Sequence, residues 1–159
     1  MNDTKTPSPF RVLLVEDNLD DADLTREALR TVDVPLTCHV VGDGLQALAF
    51  LRRQDEFAAV ERPDLILLDL NLPRLGGFEV LREIRKDPEL TWLPVIILST
   101  SEADEDIREA YALHANCYIP KKLDFHDFVE AIGRICDFWL KLAVLPKERR
   151  GSLPGSAGK

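Results

Sequence analysis

Two acids in succession, Glu16-Asp17, follow the apolar run RVLLV, and a third, Asp69, ends the run LILL. Three carboxylates brought together repel and hold their protons more tightly unless a cation offsets them. If the strands that carry them are neighbours, the economical reading is a magnesium-type site. Such an ion takes about six oxygens in near-octahedral geometry, from one or two carboxylates, a carbonyl, waters and phosphate. Asp17 and Asp69 would bind directly, Glu16 through water, and the backbone carbonyl of Asn71 would complete the protein's share. Taken singly, Glu16-Asp17 also suits a blander role, as acids capping the first turn of the next helix.

Ser99 ends the run VIILS and offers a neutral hydroxyl, and Lys121 follows CYIP and offers a mobile ammonium able to meet a phosphoryl oxygen. Together these groups make a constellation for phosphoryl transfer. A phosphorylated Asp69 would set its added charge against magnesium, Lys121, Ser99 and backbone N–H groups, which is electrostatic stabilisation more than acid–base work. No histidine is needed as a base. His39, His114 and His126 fall in separate segments without ligand spacing and read as surface or interface residues.

Strand ends must position these side chains. Leu65 to Leu68 are four consecutive apolar residues, suited to a strand buried on both faces, and the carboxyl edge of such a strand is where open α/β sheets place their chemistry. Further strands are expected at Arg11–Val15, Leu36–Val41, 94–99 and Cys117–Ile119. Helical spacing fills the intervals: Leu24 and Ala28 after Leu19; Leu45, Leu48 and Leu51; Phe78, Leu81 and Ile84, stopped by Asp87-Pro88; Ala103, Ile107 and Ala110; then Phe125, Phe128, Val129, Ile132, Ile135 and Trp139. Five strands alternating with helices give five βα units on a mostly parallel sheet. Beyond Ile135 the last helix carries more apolar bulk than one wall needs. Phe138, Trp139 and Leu140 point in different directions, so either the chain folds back on itself or part of this surface, with Leu142 and Leu145, meets another subunit.

The 159 residues suit one domain, divided as a lead-in over 1–9, a folded unit over 10–146 and a disordered tail over 147–159. Apolar residues make up 45% and charged residues 30%, an ordinary globular balance. A net charge of -8 disfavours non-specific nucleic-acid binding, which needs basic residues against phosphates, and the basic run KERR is too short to change that. No apolar run is long enough to span a membrane, and the amino terminus lacks a signal peptide's apolar block. Cys38, Cys117 and Cys136, odd in number and without ligand spacing, read as reduced core thiols of a cytoplasmic protein.

The blocks VLLVEDN (12–18), LILLDLNLPRLGG (65–77), VIILSTS (95–101) and CYIPKK (117–122), with thirty residues from Asp69 to Ser99 and twenty-two from Ser99 to Lys121, resemble the receiver domain of two-component response regulators. The resemblance implies a flavodoxin-like (βα)5 fold with strand order 2-1-3-4-5 and helices on both faces. It implies Glu16 and Asp17 as the acidic pair, Asp69 as phosphoacceptor, Asn71 as carbonyl ligand, Ser99 as switch hydroxyl, Lys121 as the site lysine and Tyr118 as the aromatic that changes rotamer. The expected chemistry is self-catalysed phosphotransfer and autodephosphorylation rather than conventional turnover. ALHANCYIPKK and DFWLKLAVLP, with NLPRLGG and LSTSEADEDI, look more narrowly like the stand-alone regulators paired with bacterial and cyanobacterial phytochrome histidine kinases. In that subgroup the last helix and its extension help form a homodimer, so Phe138, Trp139, Leu142 and Leu145 are the expected interface.

Lys122 stands where the family usually has proline, so a cis bond there would cost ~2.5–4 kcal/mol and a trans turn is expected unless surrounding contacts hold the strain. Ser99 replaces the commoner threonine and keeps its hydroxyl. With no effector domain after the receiver, output is expected through protein contact, dimer exchange or phosphate relay, with the kinase docking near the first helix and with Leu19 and Leu75 as exposed contacts. Two other readings stay open. One is a haloacid-dehalogenase-like phosphohydrolase, against which Asn71 stands where a second catalytic aspartate is expected. The other is a pseudo-receiver that only dimerises.

Overall fold

The computed structural model describes residues 8–121 and 124–146. Five strands, β1 (Phe10–Val15), β2 (Leu36–Val41), β3 (Leu65–Asp69), β4 (Val95–Ser99) and β5 (Cys117–Pro120), form one parallel sheet in the order β2-β1-β3-β4-β5. Between and after them run α1 (Leu19–Arg30), α2 (Gly44–Leu51), α3 (Gly77–Lys86), α4 (Asp104–Ala112) and α5 (Phe125–Cys136). A short 3-10 turn, Asp55–Phe57, occupies the polar connection before β3.

Alternation along the strands divides the core. Leu13, Val15, Ile66, Leu68 and Ile97 face α2 and α3, whereas Val12, Leu14, Leu65, Leu67, Ile96 and Leu98 face α1 and α5. β3 and β4 are buried at every position, as the unbroken apolar runs require of strands covered on both faces. The register sets Val15 beside Leu68, Asp69 beside Leu98 and Ser99 beside Pro120, so four strand ends finish at one edge. The strand order is the one implied by the resemblance.

Two helical stripes differ from their sequence pattern. Ala103 is exposed and stands before α4 as its N-cap, leaving Ala110 as the buried residue of that helix. Phe125 opens α5 and is more than half exposed, while Phe128, Ile132 and Cys136 carry the buried face and Leu140 continues it. A four-residue step drifts around an α-helix, because each turn takes 3.6 residues. The wider π-helical turn over Asp137–Leu142 keeps Leu140 facing the core, and the Ala143 N–H donates to the Phe138 carbonyl at 2.7 Å.

The extension beyond α5 is divided. Trp139 and Leu145 pack in part against the α1–α5 side of the core, whereas Phe138 and Leu142 stay exposed, Leu142 by 74%. Leu19 is exposed as expected, but Leu75 is half-buried against the α2–α3 side. Cys136 is buried and Cys38 and Cys117 are half-buried, all three as free thiols. Among the described residues no helix is long and apolar enough to cross a membrane. The Lys121–Lys122 bond and the tail over 147–159 lie outside the described residues.

Candidate functional site

Asp69 is the last residue of β3 and is buried. Behind it the chain turns sharply through Gly76 into α3, where the Gly77 N–H donates to the Leu70 carbonyl at 3.0 Å. A side chain at position 77 would drive its Cβ into the Asp69 carbonyl and Leu70 Cα, so only glycine lets α3 start this close to Asp69. The Asn71 N–H donates to Asp69 Oδ1 at 3.2 Å. Asp69 Oδ2 accepts from Lys121 Nζ at 3.1 Å. The two oxygens thus have different partners, a backbone amide on one and an ammonium on the other.

Glu16 and Asp17 leave β1 beside this strand, with the Glu16 N–H bonded to the Val41 carbonyl at 3.0 Å. One carboxylate oxygen each from Glu16, Asp17 and Asp69 all lie within 4.8 Å of one another. Glu16 is buried and Asp17 is exposed, so the trio opens toward solvent on one side. Capping of α1 belongs to Asn18, whose side chain accepts from the Asp21 N–H at 3.0 Å. Glu16 Oε2 accepts from the Asn18 N–H at 3.3 Å, while its Oε1 turns to Lys121.

Lys121 follows β5 and is anchored by its N–H to the Ser99 carbonyl at 2.7 Å. Its ammonium bonds Glu16 Oε1, and also Asp21 Oδ2 and Asp69 Oδ2, both at 3.1 Å. Burial works against that ammonium, but the Glu16 hydrogen bond and the Asp69 and Glu16 charges outweigh it and raise its pKa. The Glu16 carboxyl is pushed up to about 7, first by burial and then by a hydrogen bond with Asp69, against the pull of Lys121. Three carboxylates on the Lys121 ammonium, with Asp17 beside two of them, leave an excess of negative charge, the condition a divalent oxygen-seeking cation relieves.

Ser99 is wholly buried at the end of β4, and its Oγ accepts from the Ser101 N–H at 3.1 Å. Tyr118 is half-buried, and its hydroxyl donates to the Ser101 carbonyl at 2.8 Å. The Ser101 hydroxyl in turn donates to Asp106 Oδ2 at 2.5 Å and accepts from the Ala103 N–H at 3.2 Å, at the start of α4. The sequence reading missed Ser101 and gave Asp21 no role at the lysine. For Asp21 a signal existed: it lies in the first turn of α1, four residues after Asp17 just past the end of β1, and so stays near the same strand edge.

The histidines stand apart from this site. His39 is exposed and tilts against Phe50 at 4.6 Å between ring centroids, and His114 gives its carbonyl to Arg85. His126 gathers with Asp127 and Glu130 on the exposed start of α5, where Glu130 already holds Arg134 at 2.7 Å.

Residues 12–133 match the response regulator receiver domain family. The chain belongs to that family. Response regulator Rcp1 of Synechocystis sp. is 42% identical over 146 residues, covering 92% of this chain and 99% of its own. The crystal structure of its Mn(2+)-bound form superposes with a TM-score of 0.82, covering 87% of this receiver and 100% of that chain. The phosphorylated cyanobacterial phytochrome response regulator RcpA is 46% identical with a TM-score of 0.83, covering 88% of this chain and 100% of its own. The receiver domain of sensor histidine kinase PA1611 from Pseudomonas aeruginosa PAO1, with magnesium coordinated in its active-site cleft, is 28% identical. Its TM-score is 0.67, over 84% of this chain and 98% of that one. This receiver is thus closely related to phytochrome-linked regulators, and the phosphohydrolase reading falls away.

Proposed function

We propose that this receiver takes a phosphoryl group from a sensor histidine kinase of the phytochrome type onto Asp69 and passes the signal on by protein contacts. The observation that carries the reading is the meeting of Glu16, Asp21 and Asp69 on the Lys121 ammonium beside the Glu16–Asp17–Asp69 carboxylate trio. Asp69 is the nucleophile: its carboxylate oxygen bonds to phosphorus as the phosphorus–nitrogen bond of the donor histidine breaks, and the leaving imidazole nitrogen keeps the electron pair and takes a proton. Lys121 and the Asn71 N–H are placed to meet the charge that gathers on the phosphoryl oxygens and on the acceptor. Mg2+ is the cation this oxygen donor set suits: Asp17, Asp69 and the Asn71 carbonyl would hold it, with Glu16 acting through water, and it would neutralise phosphoryl charge.

Phosphorylation draws Ser99 toward the phosphoryl group and shifts the population of Tyr118 orientations, changing the face formed by α4, β5 and α5. Phe138 and Leu142, exposed beyond α5, with Trp139 and Leu145 beside them, form the surface of a homodimer. A cytoplasmic setting accompanies the kinase reading.

The test is incubation with a small phosphodonor and Mg2+, read by intact mass. One acid-labile phosphoryl group on the wild-type chain, absent from Asp69→Asn, is the expected result. A label that survives Asp69→Asn would overturn the assignment.

A further inference from the structure

An ammonium has three N–H donors. Lys121 has three acidic partners, and they are not equivalent. The side chains of Glu16 and Asp69 are only 1% and 8% exposed, and both belong to the trio suited to a divalent cation. Asp21 lies outside that trio, and its side chain is 40% exposed at the rim of the pocket. Its hydrogen bonds within the helix rest on its backbone: its N–H is capped by Asn18, and its carbonyl accepts from the Thr25 hydroxyl at 2.9 Å. Its carboxylate meets Lys121 and also sits, as a charge, in the first turn of α1, a place that favours an anion.

A divalent cation at Glu16, Asp17 and Asp69 and the Lys121 ammonium draw on the same two buried carboxylates, and the two cations repel each other. We propose that Asp21 is a positioning residue for Lys121, a rim carboxylate that keeps an anion on the ammonium while Glu16 and Asp69 turn to the divalent ion. This rests on the proposed receiver function, in that the ion is the one required there. Without Asp21, Lys121 bonds Glu16 and Asp69 alone and competes harder with the incoming ion. Asp21 thereby sets how readily the metal-free site accepts its cation, and it acts through the lysine rather than as a ligand.

The test is a double-mutant cycle on Mg2+ affinity, measured by calorimetry on the full chain. Asp21→Asn keeps the backbone hydrogen bonds and removes the charge. It is expected to weaken Mg2+ binding about two- to fivefold, the span of a partly exposed ion pair. In a Lys121→Met background the same change is expected to have a smaller effect, because only the direct loss of a nearby charge remains. Asp21→Glu is expected to restore wild-type affinity. Equal effects of Asp21→Asn in both backgrounds, or none in the wild type, would overturn the proposal. Failure of Asp69 phosphorylation in a wild-type chain that binds Mg2+ would count against the receiver function alone, and the cycle would still decide the role of Asp21.

Discussion

Replacing Lys121 by methionine removes a cation shared by Glu16, Asp21 and Asp69 and leaves a flexible apolar chain of similar length. The cost depends on pH because Glu16 does. Its carboxyl, ordinarily at 4.5, is raised to about 7 in the fold. The unfolded chain therefore ionises this group first. Metal-free stability is highest below about pH 4.5 as far as Glu16 is concerned, and falls as pH rises toward 7. At about 1.4 kcal/mol per tenfold, keeping Glu16 ionised in the wild-type fold at pH 8 costs on the order of 3 kcal/mol. Lys121 already lowers that pKa, so its removal widens the window. At pH 8 the variant leaves buried carboxylates unpaired, a further loss of about 3–5 kcal/mol. At pH 5 a protonated Glu16 donates to Asp69 in the lysine's stead, and the loss falls to about 1 kcal/mol. Urea unfolding in a chelator at the two pH values measures both numbers, and saturating Mg2+ at pH 8 is expected to recover much of the difference. Equal destabilisation at pH 5 and pH 8 would refute the reasoning.

Gly77→Ala is expected to lower stability by about 1–3 kcal/mol and to slow Asp69 phosphorylation, because the new methyl meets the Asp69 carbonyl and Leu70 Cα; urea midpoints and intact-mass time courses check the two effects. The Cys136 thiol is pushed up to about 12, chiefly by burial and then by the nearby Asp137 and Cys38, so at pH 8 only about one molecule in ten thousand carries the thiolate. Iodoacetamide at pH 8 should spare Cys136 in the folded chain and label it after denaturation. Because the unfolded thiol ionises near 9 and the folded one only near 12, stability should fall as pH rises between those values, and labelling of the folded chain at the rate of the denatured one would contradict this.

The fold was legible where local pattern and burial agree. Unbroken apolar runs of four or five residues bounded by turn signals suit strands covered on both faces, and β3 and β4 carry no exposed residue. Acids, hydroxyl and lysine at strand ends were readable for the same reason, since a parallel sheet brings those ends to one edge. What escaped the sequence depends on contacts between distant segments. Asp21 reaches Lys121 across 100 positions, and Tyr118 reaches Ser101 across 17. Phe125 and Ala103 fit a helical stripe by spacing, yet each stands at a helix start, where the chain has not yet closed on the core. The π turn after Cys136 is set by the fit of Leu140 beneath the helix, which no local preference announces.

That turn has a consequence for how the end of the chain tolerates length changes. Each residue of an α-helix advances the next by about 100°, so deleting one position between Asp137 and Leu142 would swing everything downstream by roughly a quarter-circle. Loss of a position before Leu140 would carry Leu140 out of its buried seat and bring the polar Lys141 into it. Which greasy residues look inward and which look out is thus written in the pitch of a single coil, so an insertion or deletion there should disturb association more than a conservative swap of any one side chain.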